Sequence, residues 1–116
     1  MSSDLRIVLC NCSPDESEEL AETLVDESLA ACVNILPPIT SVYEWEGEAK
    51  SETEHTLIIK TMRTHWPYLR DRIAELHSYD CPEIIALDAD NVWDAYEEWV
   101  SDQVGPDHTP GSTIDG

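Results

Sequence analysis

Apolar positions along this chain switch between two spacings, and the switches mark its elements. Residues 5–12, LRIVLCNC, are apolar and β-branched and run into a turn signal, the pattern of a buried strand. Ser13-Pro14-Asp15-Glu16 then starts a helix: Ser13 can cap it, Pro14 suits its first position, and Glu16 can reach back to complete a capping box. Helical spacing continues to about residue 30, with Leu20, Ala21, Leu24, Val25, Ser28 and Leu29 inward and Glu18, Glu19, Glu22 and Asp26 outward. Residues 31–46 read as strand, interrupted at Pro37-Pro38, where a missing amide donor demands an edge, a bulge or a bend. Beyond the prolines Ile39, Ser41, Tyr43 and Trp45 alternate with Thr40, Val42, Glu44 and Glu46.

Residues 47–54, GEAKSETE, are polar and contain a glycine, as expected of a hairpin connection, and residues 55–62 supply the partner strand. These two strands are long for a small domain, so the hairpin is expected to project beyond the sheet. Thr64 can cap a second helix, with Pro67 tolerated in its first turn. Trp66, Leu69, Ile73 and Leu76 repeat at helical spacing, and the helix is expected to end near His77. Pro82 disfavours helix at Cys81, and residues 83–88 form the next strand. Asn91 caps a third helix carrying Val92, Trp93, Tyr96, Trp99 and Val100, aromatics expected in the core. Residues 103–116 hold two prolines and three glycines without apolar periodicity and are expected to form a loose tail, leaving one domain over residues 1–102.

Strand, helix, strand, strand, helix, strand, helix is the order of an α+β, ferredoxin-like βαββαβ unit with a long central hairpin and an added C-terminal helix. Helices on one sheet face leave the other to meet solvent or another subunit. Tyr43, Trp45, Leu57 and Ile59 give the hairpin more apolar surface than one helical layer covers, so oligomerisation is expected.

Charge narrows the partners. The 116 residues carry 25 acidic and 6 basic side chains, a formal −19 with histidine neutral. Such a field repels phosphate backbones, which argues against nucleic acid, and attracts cations. An acidic, lysine-poor surface around an ordinary apolar core also fits a halophile's salty cytoplasm, where molar salt screens like charges within about 3 Å. No stretch approaches the roughly 18 apolar residues of a membrane span, and MSSDLRIVLCNC lacks the form of a signal peptide, so a cytoplasmic location is expected. Cys10, Cys12, Cys32 and Cys81 include a C-x-C but no second pair to complete a zinc site, and buried, reduced thiols are expected. No nucleophile elbow, P-loop, H-E-x-x-H or G-x-G-x-x-G occurs, so nothing recommends an enzyme.

Four segments, IVLCNCSPDE, LAACVNILPPITSVYEWEGE, LIIKT and HSYDCPEI, resemble the CutA family, named for divalent-cation tolerance, over residues 7–102. The resemblance implies a ferredoxin-like subunit, a homotrimer built by the long hairpins, and binding of divalent cations, Cu(II) in particular. It also implies Cys10 and His77 as metal ligands. A His-His pair before Pro-Tyr is usual in bacterial members, and here Leu76 replaces the first histidine and Ser78 the proline. Each candidate has a plainer reading: Cys10 as core, and His77 as a protonated cap at a helix C-terminus, worth about 0.3–1 kcal/mol. Glu83 is expected at a turn or in a pocket at the subunit junction. Lys60, inside an apolar strand, needs a partner: an intersubunit carboxylate such as Glu54 or Glu83, or an anion in a pocket. Tyr43, Trp45 and Tyr79 are expected at the interface. The competing class is a PII-like trimeric small-ligand sensor, although six basic residues are few for a triphosphate. An acylphosphatase-type hydrolase is set aside because the CSPDE loop is acidic where a phosphate cradle needs arginine. Thermal melts test the halophilic reading: the melting temperature rises with potassium chloride from dilute to molar, and a flat response refutes it.

Overall fold

Strand pairing organises residues 3–106, the part described by the structure, a computed structural model. The elements are β1 (Leu5–Cys12), α1 (Ser17–Asp26), β2 (Cys32–Ile35), β3 (Ile39–Trp45), β4 (Glu48–Met62), α2 (Trp66–Leu76), β5 (Glu83–Asp88) and α3 (Asp94–Val104). The sheet order is β2-β4-β1-β5, with β3 also paired to β4, and every neighbouring pair is antiparallel. This is the ferredoxin-like arrangement, extended by the β3–β4 hairpin and by α3.

Alternation divides the residues between the two sheet faces. Val8, Cys10, Cys12, Leu57 and Ile59 point to one face and pack with Leu20 and Leu24 of α1 and Leu69 and Ile73 of α2. Fully burying each large aliphatic chain contributes about 1.5–3 kcal/mol. The opposite face is covered by α3 at one corner only, where Val100 and Val104 meet Leu5, Ile7 and Met62. Beyond that corner Ile85 and Leu87 of β5 remain 45% exposed. Thr61 Oγ1 donates to the Leu29 carbonyl at 2.8 Å from a fully buried position, tying the α1–β2 corner to β4.

The hairpin differs from its expected form. Residues 48–54 are strand, and the connection is only Glu46-Gly47, with φ of 53° and 82°. Positive φ at both central residues is the tight-turn geometry whose twist matches antiparallel strands. Residues 48–53 are exposed, so their polarity is that of a strand with no core beneath it.

Pro37-Pro38 forms a bulge. Ile35 lies opposite Leu57 and Ile39 opposite Glu54, so three residues, 36–38, face two, 55 and 56. The extra residue reverses the alternation. Val33 shares the helix-covered face with Ile59, whereas Ile39, Ser41, Tyr43 and Trp45 share the open face with Glu54, Glu52, Lys50 and Glu48.

Helix ends also depart from the sequence reading. Helix α1 stops at Asp26, because Ser28 takes φ 59° and lets the Leu29 and Ala30 amides bond back to Leu24. Ser28 is therefore exposed, and Val25, expected inward, is 41% exposed. Of the expected capping box only the return half is present, from the Ser13 amide to Glu16 Oε2 at 3.3 Å. Thr64 does not cap α2. It lies in a 3-10 turn, Arg63–His65, and its hydroxyl faces His65 Nδ1 at 3.1 Å. Asn91 does not cap α3, whose N-cap is Trp93; its side chain bonds Asp90. The α3 tryptophans are not core either: Trp93 is 79% and Trp99 43% exposed, whereas Tyr96, partly buried, packs against the cluster of Val100 and Val104 that holds the helix. Helix α3 includes Gln103 and Val104, so the first two positions of the expected tail are helical. The rest of that tail from 107 onward lies outside the described residues.

Ile59→Ala is expected to lower unfolding free energy by about 2–5 kcal/mol, as for a fully buried aliphatic truncation, measured by chemical denaturation.

Candidate functional site

The corner between β1, the hairpin and the α2–β5 loop gathers most of the residues singled out by sequence. Three side-chain ties hold the loop there. Glu16 accepts from the Ser78 amide at 3.2 Å and from its hydroxyl at 2.7 Å. His77 Nε2 lies 2.8 Å from the Asn11 carbonyl. Tyr79 donates its hydroxyl to Glu54 Oε2 at 2.8 Å.

His77 is buried, and both ring nitrogens are engaged. The Asn11 carbonyl can only accept, so Nε2 carries a proton; Nδ1 accepts the Tyr79 amide at 3.1 Å, so it holds the lone pair. This bonding fits a neutral ring better than the protonated helix cap. Cys10 Sγ contacts the same Asn11 carbonyl at 3.8 Å, so the two candidate ligands share one acceptor. Burial foremost, then the neighbouring Cys12, Glu83, Glu16 and Glu54, pushes the Cys10 thiol up to about 12. Burial followed by Glu16 and Glu54 pushes Cys12 up to about 11. All four cysteines are free, and Cys81 is exposed at the loop. Among the described residues no group of three or more His, Cys, Asp or Glu side chains is placed to hold a metal ion.

Tyr43, Trp45, Tyr79 and Glu83 line one cavity of about 780 Å³ between the hairpin and the loop. Lys60 does not line it. Its Nζ bonds Asn34 Oδ1 and lies 4.0 Å from Cys32 Sγ, so within this chain its partners are an amide and a thiol. Four carboxylates, Glu52, Glu54, Asp80 and Glu83, and one ammonium, Lys50, face the cavity. Glu83 Oε1 accepts from the Asn11 amide at 3.3 Å, and Asn11 Oδ1 accepts from Thr56 at 2.7 Å, fixing the cavity floor. Burial, then the bond to Glu54, holds the Tyr79 phenol well above its ordinary range. Desolvation and Glu52 raise Tyr43 likewise. Asn11, Glu16 and Glu52 were not singled out as site residues by sequence. The alternation signal for Glu52 was present in the strand but hidden by its polar surroundings.

The family model for the CutA1 divalent ion tolerance protein matches residues 6–103. The chain belongs to the CutA family. It is 46% identical over 86 residues to the chloroplastic CutA protein of Arabidopsis thaliana, covering 74% of this chain and 47% of that one. It is 40% identical over 93 residues to the divalent-cation tolerance protein CutA of Thermus thermophilus, covering 80% and 90%. The chain thus spans about half the length of the plant CutA and most of the bacterial one. Among solved structures, the PII-like protein CutA from Nostoc sp. PCC 7120 superposes with a TM-score of 0.83 at 37% identity, covering 86% of this chain and 97% of that one. CutA relatives thus include one whose name places it in a chloroplast. No described helix is long and apolar enough to cross a membrane.

The raised thiols set a pH dependence. Their protonated forms are favoured in the folded chain, so this contribution is complete below pH 9.0, where an unfolded thiol ionises, and is lost as pH climbs towards 12. Denaturation midpoints are expected to fall across that range, and less steeply for Cys10→Ala.

Proposed function

We propose that this CutA chain acts by binding, not catalysis, as a cytoplasmic homotrimer that takes up divalent cations with modest affinity in metal tolerance. The observation that carries the assembly is the open sheet face. Ile85 and Leu87 are each nearly half exposed beside partly buried Leu9 and Ile58, more aliphatic surface than a lone subunit keeps in water. A second copy laid against this face covers it, and an intersubunit carboxylate for Lys60 belongs to the same proposal.

The cation seat proposed is the Asn11 corner, with His77 and Cys10 as ligands and Glu16 and Glu83 supplying negative charge nearby. A cation at His77 must take Nδ1 from the Tyr79 amide, and a soft ion such as copper must displace a strongly held Cys10 proton. Both exchanges weaken binding, and the remaining ligands come from water or a neighbouring subunit. The acidity of the whole chain adds loose cation attraction, and the same acidity underlies the proposed life in a salty cytoplasm. The PII-like reading is supported by the resemblance to the Nostoc protein, but the cavity's four carboxylates oppose a triphosphate.

Light scattering in molar salt is expected to give three times the chain mass, and a monomer mass refutes the assembly. In a calorimetric copper titration, His77→Ala and Cys10→Ala are expected to weaken binding several-fold. If neither changes the affinity, the specific site does not exist. Labelled nucleotide in the same buffer is expected not to bind.

A further inference from the structure

The β3–β4 arm gathers like charge where least holds it together. Residues 39–54 carry five carboxylates, Glu44, Glu46, Glu48, Glu52 and Glu54, against one ammonium, Lys50. Lys50 lies 3.8 Å from Glu48. Glu52 and Glu54 bond to phenols, those of Tyr43 and Tyr79, and not to a cation. A strand rises about 3.3–3.4 Å per residue, so Glu52 and Glu54, on one face of β4, are spaced by about 7 Å. That spacing falls between two screening regimes. The Debye length is about 10 Å in 0.1 M salt and about 3 Å in 1 M, so such neighbours repel in dilute buffer and are screened in molar salt.

No core offsets this repulsion. Neither apolar cluster contains a residue of 36–56, and Val42, Tyr43 and Trp45 are all exposed. Acidic residues are as dense on α1, but that helix is anchored by Leu20 and Leu24. A two-stranded ribbon is marginal in water, and local opening begins in the least stable unit. The arm also belongs to the proposed contact between copies. Lys50 and Glu48, opposite Tyr43 and Trp45, lie on the same side of the unbroken strand β4 as Ile58. A second copy laid on the open face therefore meets the arm's aromatic side, and it brings equally acidic surface with it.

We infer that the β3–β4 arm is a salt-gated element: molar salt orders it and holds the copies together, and dilution frees the arm and releases the subunits while the sheet and helices stay folded. The release of subunits rests on the homotrimer proposed above, whereas the ordering of the arm within each chain does not.

Amide hydrogen exchange and light scattering on the full chain test it, in about 2 M and about 0.1 M potassium chloride. Exchange within residues 39–54 is expected to be at least about tenfold faster at low salt, while β1 and residues 57–61 stay within about twofold. The mass is expected to fall from three chains to one over the same range. The double variant Glu44→Gln, Glu52→Gln, at two exposed positions, is expected to restore arm protection at low salt by about fivefold or more. Glu18→Gln with Glu22→Gln removes the same charge from the exposed side of α1 and is expected to leave the arm as in the parent. Arm exchange that ignores salt, or loss of arm and core protection together, overturns the proposal. Equal rescue by the α1 pair overturns it too, because the net charge of the whole chain would then be acting. A three-chain mass that persists while the arm is freed overturns the coupling to assembly. A one-chain mass already in molar salt overturns the homotrimer, and the exchange data then decide the arm alone.

Discussion

Strand β4 is hydrogen-bonded to β1 and β2 along its second half and to β3 along its first, so one 15-residue element joins the domain's core to its outlying arm. Its inner half needs the apolar alternation of Leu57, Ile59 and Thr61 to seat α1 and α2. Its outer half has no such support and is held by cross-strand hydrogen bonds and the tight Glu46-Gly47 turn. A two-stranded ribbon is marginal by itself in water. The arm is therefore stabilised by its continuity with the sheet and by the contact of Tyr79 with Glu54 where ribbon and sheet meet. That junction also borders the cavity, so the mechanical anchor and the chemically distinctive site share residues.

The site's electrostatics follow from the same placement. Acidic residues that would be screened on an open surface are brought against partly buried phenols and thiols, which keep their protons. Glu16 has a double role: it bonds the Ser13 amide before α1 and the Ser78 backbone and side chain after α2. Two chain segments 62 residues apart are thereby pinned by one carboxylate. His77 adds a third fixed point, with its proton directed at Asn11 and its lone pair at Tyr79. The loop carrying Tyr79 is thus ordered by polar bonds at its start more than by apolar burial.

Much of the architecture was legible because burial writes itself into sequence. The inner strands, the inward leucines of α1 and the Trp66–Leu76 spacing all carry periodicities that only a covered face requires. Where no covered face exists the signal vanishes: residues 48–54 read as a loop although they form a strand. The tryptophans of α3 misled for the opposite reason, since composition suggested a core role that falls to Val100, Val104 and, in part, Tyr96. At the site, Tyr43, Trp45, Tyr79 and Glu83 stood out in the sequence by residue type and position, and the fold brings them to one cavity. Lys60's partners Asn34 and Cys32 were not, because cross-strand register depends on pairing that no local pattern encodes.

The bulge at Pro37-Pro38 lets β4 keep two registers at once. It pairs with β2 before the prolines and with β3 after them, and residues 36–38 take up the one-residue mismatch opposite 55 and 56. The side that each β3 residue takes is set by its partner on β4 and by the Glu46-Gly47 turn, so Tyr43 and Trp45 keep the side of Lys50 and Glu48. A change of length at the prolines is therefore absorbed where it occurs, whereas one at the turn would shift the whole of β3 against β4.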